Sequence, residues 1–140
     1  LELGVNHKYN KLVEWFANAT YTHTEISNPK DADQNGSEVP FVPAFSSNAG
    51  FTVHFPKDIH VSYTLHLGGQ IYDSSSKSGR TKFNSYELMN VNAWMTVYKM
   101  KSGGIDIYTQ LYNITDNKFE MPWQFRDPGF SASGGVRITF

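Results

Sequence analysis

The chain has 140 residues, a formal net charge of -1 and no cysteine, which excludes a broad basic surface for nucleic acid and any disulfide framework or thiolate metal centre. No run of about 18 apolar residues occurs, so a transmembrane helix is excluded. A mean hydropathy of -0.45 does not exclude membrane-spanning strands, because strands that alternate apolar and polar residues average out as polar.

Alternation with a period of two runs through nearly the whole chain. Leu1, Leu3 and Val5 oppose Glu2, Gly4 and Asn6. After a short link over 7–11, Val13, Trp15, Ala17, Ala19 and Tyr21 oppose Glu14, Phe16, Asn18, Thr20 and Thr22. A long polar connection over 27–43 leads to Phe45, Ser47, Ala49, Phe51, Val53 and Phe55, set against Ser46, Asn48, Gly50, Thr52 and His54. The tight Pro56-Lys57-Asp58 then gives Ile59, Val61, Tyr63, Leu65 and Leu67 against His60, Ser62, Thr64, His66 and Gly68. A second long connection, 73–86, precedes Met89, Val91, Ala93, Met95 and Val97, which oppose Asn90, Asn92, Trp94, Thr96 and Tyr98. Lys101-Ser102-Gly103-Gly104 is tight again and opens Ile105, Ile107, Thr109 and Leu111 against Asp106, Tyr108, Gln110 and Tyr112. The third long connection, 116–129, ends at Phe130, Ala132, Gly134, Val136, Ile138 and Phe140, opposed by Ser131, Ser133, Gly135, Arg137 and Thr139.

The pattern predicts seven strands, most near the ~9–11 residues that a tilted strand needs to cross a bilayer. Connections alternate short and long, as in an outer-membrane barrel with short periplasmic turns and longer extracellular loops. A soluble lipocalin-like barrel alternates too, but its outer face is rich in Lys and Glu. Here the polar face is Asn, Thr, Ser, Gly, Gln, Tyr and His, with charge only at Glu2, Glu14, Asp106 and Arg137. A weakly charged polar face suits a lumen. Trp15, Tyr21, Phe45, Phe55, Phe130 and Phe140 near strand ends suit interfacial girdles. The predicted fold is therefore all-β: an antiparallel transmembrane β-barrel wall, with lipid on its apolar face. Single-chain bacterial barrels have an even strand number, so the wall is expected to continue before Leu1.

If Pro56-Lys57-Asp58 forms the turn, His54 and His60 face each other on the polar side with Cβ atoms about 5 Å apart, close enough to share a metal. With no third ligand evident they are weak candidates, since lining a polar lumen is the ordinary role of such residues. Trp123, Phe125 and Arg126 lie in the last long connection, where an aromatic-plus-Arg loop can contact a ligand. No nucleophile elbow, phosphate loop or paired-carboxylate motif is present, so neither catalysis nor a cofactor is expected.

Four stretches together resemble the C-terminal barrel portion of a TonB-dependent outer-membrane receptor. They are Phe16-Ala17-Asn18-Ala19-Thr20-Tyr21-Thr22; Val39-Pro40-Phe41-Val42-Pro43 with the strand after it; Tyr112-Asn113-Ile114-Thr115-Asp116-Asn117-Lys118-Phe119; and Pro128-Gly129 leading to Gly135-Val136-Arg137-Ile138-Thr139-Phe140. The family's plug and energy-coupling box have no counterpart among these residues. The resemblance implies residence in the bacterial outer membrane, in a wall of about 22 strands. It implies import of a scarce nutrient such as a ferric siderophore or other small metal chelate. The implied partners are the lipid bilayer, the rest of the barrel and its plug, the TonB energy-coupling complex, and the outer-membrane assembly machinery, which would read the terminal aromatic Phe140.

Overall fold

A computed structural model describes residues 1–140. It holds eleven strands and no helix: β1 (Glu2–Lys8), β2 (Val13–Tyr21), β3 (Phe45–Phe55), β4 (Ile59–Gly68), β5 (Ile71–Tyr72), β6 (Lys82–Phe83), β7 (Tyr86–Met100), β8 (Gly103–Tyr112), β9 (Glu120–Met121), β10 (Phe125–Arg126) and β11 (Ser131–Thr139). Seven of these form one antiparallel sheet in the order β1-β2-β3-β4-β7-β8-β11. The pairs β5–β6 and β9–β10 are small hairpins inside the second and third long connections. The sheet is not closed: β1 and β11 each pair on one side only.

The register carries the two-faced pattern from strand to strand. One row runs His7, Trp15, Phe51, Tyr63, Val91, Leu111, Ala132. The next runs Val13, Val53, Val61, Ala93, Thr109, Gly134, and a third runs Phe55, Ile59, Met95, Ile107, Val136. Between these rows lie polar ones, such as Glu14, Thr52, Ser62, Asn92, Gln110, Ser133. A slip of one residue in any strand would exchange its faces. Unbroken rows across the sheet therefore fix one apolar and one polar face.

Two features depart from simple alternation. A bulge at Val97 inserts an extra residue between the pairs Thr96–Asp106 and Tyr98–Ile105. Tyr98, expected on the polar face, thus joins Ile105 and Ile138 on the apolar one. Strands β1 and β7 also run further than the pattern predicted, so Lys8, Glu87 and Lys99 belong to the sheet rather than to its connections. Each sits near a strand end, where charge can reach water. Lys99 pairs with Asp58 of the β3–β4 turn at 2.6 Å, and Lys8 lies 3.9 Å from Glu14.

No hydrophobic residue is buried. The chain exposes 9712 Å², against about 7,300 Å² for a compact monomer of its mass. The excess is that of a single layer. A sheet with one apolar face is stable only when that face is covered, and nothing within this chain covers it.

Candidate functional site

The polar face is held together by side-chain ladders that cross several strands. Tyr86 Oη donates to His66 Nε2 at 3.3 Å, His66 Nδ1–H donates to Asn48 Oδ1 at 2.7 Å, and Asn48 Nδ2 donates to Asn18 Oδ1 at 2.9 Å. This relay ties β7, β4, β3 and β2 with every member bonded. Thr96 Oγ1 and Arg137 both donate to the Asp106 carboxylate, at 2.8 Å for Thr96 Oγ1 and for Arg137 Nη2, which joins β7, β8 and β11. Arg137 accordingly lies on the polar side, as its alternation predicted, while Val136 and Ile138 take the apolar rows.

Three glycines on this face stand directly opposite aromatic residues of the next strand: Gly50 opposite Phe16, Gly68 opposite Tyr86 and Gly135 opposite Tyr108. A Cβ at Gly50 would meet the Phe16 ring at 2.6 Å, and one at Gly135 would meet Tyr108 Oη at 2.7 Å; at Gly68 it would collide with the Tyr86 ring. The missing side chain lets each ring lie against the backbone, which keeps the face low.

Near the short-turn end, the Pro56-Lys57-Asp58 turn sets His54 opposite His60 as predicted. Their Nδ1 atoms are 2.6 Å apart. His54 Nε2–H donates to Glu14 Oε1 at 3.0 Å, and the His60 ring stacks on Trp94 with centroids 5.0 Å apart. Glu14 was not among the expected members. It lies 40 positions from His54, and only the β2–β3 register brings it there.

The long connections gather at the opposite end and contain all the buried polar residues: Ser37, Asn113 and Asp127. Asn113 is fully buried with a positive φ of 50°. Its Nδ2 donates to Asp127 Oδ1 at 2.7 Å and to the Asn117 carbonyl at 2.9 Å, while its Oδ1 accepts the Asn117 amide at 3.1 Å. Burial pushes the Asp127 carboxyl up, but hydrogen bonds from Tyr112 Oη, the Gly129 amide and Asn113 Nδ2 outweigh it and hold it below the usual carboxylate range. Asp116 Oδ1 accepts the Phe130 amide at 2.9 Å, and Phe119 stacks on Tyr86 with centroids 4.0 Å apart. The stretch from Tyr112 to Phe119 is thus a folded corner that delivers the chain into β11.

A second clasp joins the first two long connections. Arg80 stacks over the Tyr72 ring at 3.6 Å and donates to Glu38 at 2.6 Å, which holds the Glu38 carboxyl below its ordinary range. Asp33 accepts from the hydroxyls of Ser76 and Ser78, and these bonds lower its carboxyl as well. The run Asp31-Ala32-Asp33-Gln34-Asn35-Gly36 has the opening spacing of a calcium loop, but the twelfth position is Val42 rather than a bidentate Glu. Its Asn35 carbonyl takes the Lys77 ammonium at 2.5 Å. No group of three or more His, Asp or Glu side chains is placed to hold a metal.

Trp123, Phe125 and Arg126 lie on the β9–β10 hairpin at this same end. Trp123 is 89% exposed and Phe125 67%. Trp123 and Gln124 both have positive φ, 69° and 60°, a conformation that costs a non-glycine residue roughly 1 kcal/mol or more. Arg126 pairs with Glu120 at 3.0 Å, within the hairpin. The three share one hairpin. Phe140, 97% exposed, follows β11 at the short-turn end. No family model matches this chain, and no curated protein matches it at a significant level.

Proposed function

We propose that this chain is part of the wall of a bacterial outer-membrane β-barrel, and that the barrel is a TonB-dependent receptor importing a small metal chelate such as a ferric siderophore. One observation carries the membrane reading. Seven antiparallel strands form a single layer with a continuous apolar face and no buried hydrophobic residue. Lipid covers such a face without a second layer of protein. A lipid-facing sheet must also satisfy its own backbone, and the five inner strands pair on both sides. Tyr21 and Phe45 at one end of the apolar face, and Trp15 and Phe55 towards the other, are all exposed and suit the two interfacial girdles.

Seven is an odd number, so β1 and β11 run in the same direction. Antiparallel closure takes an odd number of further strands, consistent with a share of a larger wall. The receptor reading rests on the four resembling stretches. In it, the long connections face outside, and Trp123 and Phe125 stand in the path of an arriving ligand.

Cell fractionation tests the wall directly. The protein should appear in the outer-membrane fraction and migrate differently before and after boiling; recovery as a soluble periplasmic protein contradicts the proposal. Deletion of the gene should then abolish growth on at least one ferric chelate under iron starvation. Unchanged growth on every chelate in a panel would leave the wall and remove the receptor.

A further inference from the structure

We propose that His54 and His60 form a two-nitrogen site for a divalent transition-metal cation of the zinc, nickel or copper class, oriented by Glu14. The site does not depend on what covers the apolar face. Three observations converge on it. First, Glu14 Oε1 accepts from His54 Nε2 at 3.0 Å. A carboxylate can only accept here, so Nε2 of His54 carries a proton, and in the neutral ring its Nδ1 carries a lone pair. A carboxylate on the far nitrogen is the arrangement that fixes the tautomer and ring orientation of metal-ligating histidines.

Second, His60 turns its own Nδ1 to the same point, 2.6 Å from that of His54; without metal it donates that N–H to His54, and on metal entry the neutral ring takes its other tautomer, with the proton on Nε2 and a lone pair on Nδ1. Two nitrogens at about 2.0–2.1 Å from one tetrahedral ion are about 3.3 Å apart. The rings, with centroids 4.8 Å apart, therefore need to open by less than an ångström to admit an ion. The strands need not move, because the Pro56-Lys57-Asp58 turn fixes the opposition of the two residues. Third, His60 is braced from behind by Trp94, stacked at an interplanar angle of 25°. The remaining coordination positions open onto the polar face, where water or an incoming ligand completes the shell. Imidazole pairs suit zinc, nickel and copper, and copper(II) binds most tightly of the three, which makes it the best probe.

The stack supplies the readout. Copper(II) held by His60 lies beside Trp94 and quenches its fluorescence. In the protein folded in detergent micelles or lipid, the share of the tryptophan emission that Trp94→Phe removes should show saturable quenching by copper(II), reversed by chelator. His60→Gln and His54→Gln should each abolish saturation. Glu14→Gln should weaken the half-saturation about tenfold, the effect expected for loss of an orienting carboxylate. Copper(II) electron paramagnetic resonance on the parent should show coupling to two nitrogens, a reading that needs no variant to fold. Quenching that is absent in the parent, or unchanged in both histidine variants, would overturn the site and leave a hydrogen-bonded pair only.

Discussion

The sheet and its long-connection end are held together by opposite means. In the sheet, backbone ladders do the ordering, the side-chain ladders lie on an open face, and no apolar residue is buried. At the long-connection end, buried polar side chains do the ordering: Asn113 and Asp127 bond each other and the backbone of Asn117 and Gly129, and Ser37 closes the first loop. The lesson is that the loop end is complete in itself, whereas the sheet is complete only with something against its apolar face. Perturbations should therefore divide by region. Those that touch the apolar face act through whatever covers it, and those that touch the loop network act locally.

The largest effect is expected at the centre of the apolar face. Ala93 lies midway along β7, between Val61 and Thr109. If lipid covers this face as proposed, Ala93→Arg should destabilise the fold in lipid by roughly 2–4 kcal/mol, the cost of a basic residue at midplane depth. Asn92→Arg, one position away on the polar face, should cost well under half as much. Reversible unfolding of the complete protein in lipid measures both, and equal costs would erase the distinction between faces. Next comes the loop network. Asn113→Ala removes four bonds, to the Asp127 and Thr115 side chains and the Asn117 backbone, and leaves Asp127 Oδ1 short of a buried donor, a loss of about 2 kcal/mol. Amide exchange should quicken at Asn117 and Gly129 while β3 and β4 stay protected. If β3 and β4 quicken equally, the two regions are one cooperative unit.

The smallest mutational effect should be at the Glu38–Arg80 clasp. Its carboxylate is about half exposed, so Arg80→Ala should cost at most ~1 kcal/mol. Acid acts on the loop end as a set. The carboxyls of Asp33, Glu38, Asp73 and Asp127 are all held below their ordinary values, by hydrogen bonds from Ser76, Arg80, the Thr81 amide and Tyr112 respectively, against burial at Asp127. A depressed folded-state value stabilises the fold above the ordinary carboxylate range, and that stabilisation is lost as pH falls through the depressed values. Loop amides should therefore lose protection as pH drops below about 4, before the inner strands do. Loss of protection on raising pH instead would reverse the sign.

The strands were legible because alternation is local. Phe45–Phe55 and Ile59–Gly68 follow their sequence pattern residue for residue, and the short turn between them makes the His54–His60 pair readable as well. The Val97 bulge was not legible. Val97 fits the alternation before it, and the residue that exposes the shift, Ile105, lies on the partner strand. Glu14 and the Asn113–Asp127 bond were hidden for the same reason, since each depends on register between segments well separated in sequence. Trp123 and Phe125 could be picked out as unusual loop aromatics, but their exposure depends on the positive φ at Trp123 and Gln124, which residue type does not favour.

The central claim is that lipid, rather than protein, covers the apolar face. Because the chain has no cysteine, a single introduced thiol reports one position cleanly. Ala93→Cys and Asn92→Cys would each be labelled with a small fluorophore in the unfolded chain, where the thiol is accessible, and the labelled protein then folded into vesicles whose acyl chains carry bromine near the bilayer midplane. Strong quenching by the brominated chains at position 93, with little at 92, is the predicted result, and a water-soluble quencher should show the reverse order. Weak acyl-chain quenching at 93, or equal quenching at the two positions, would contradict it.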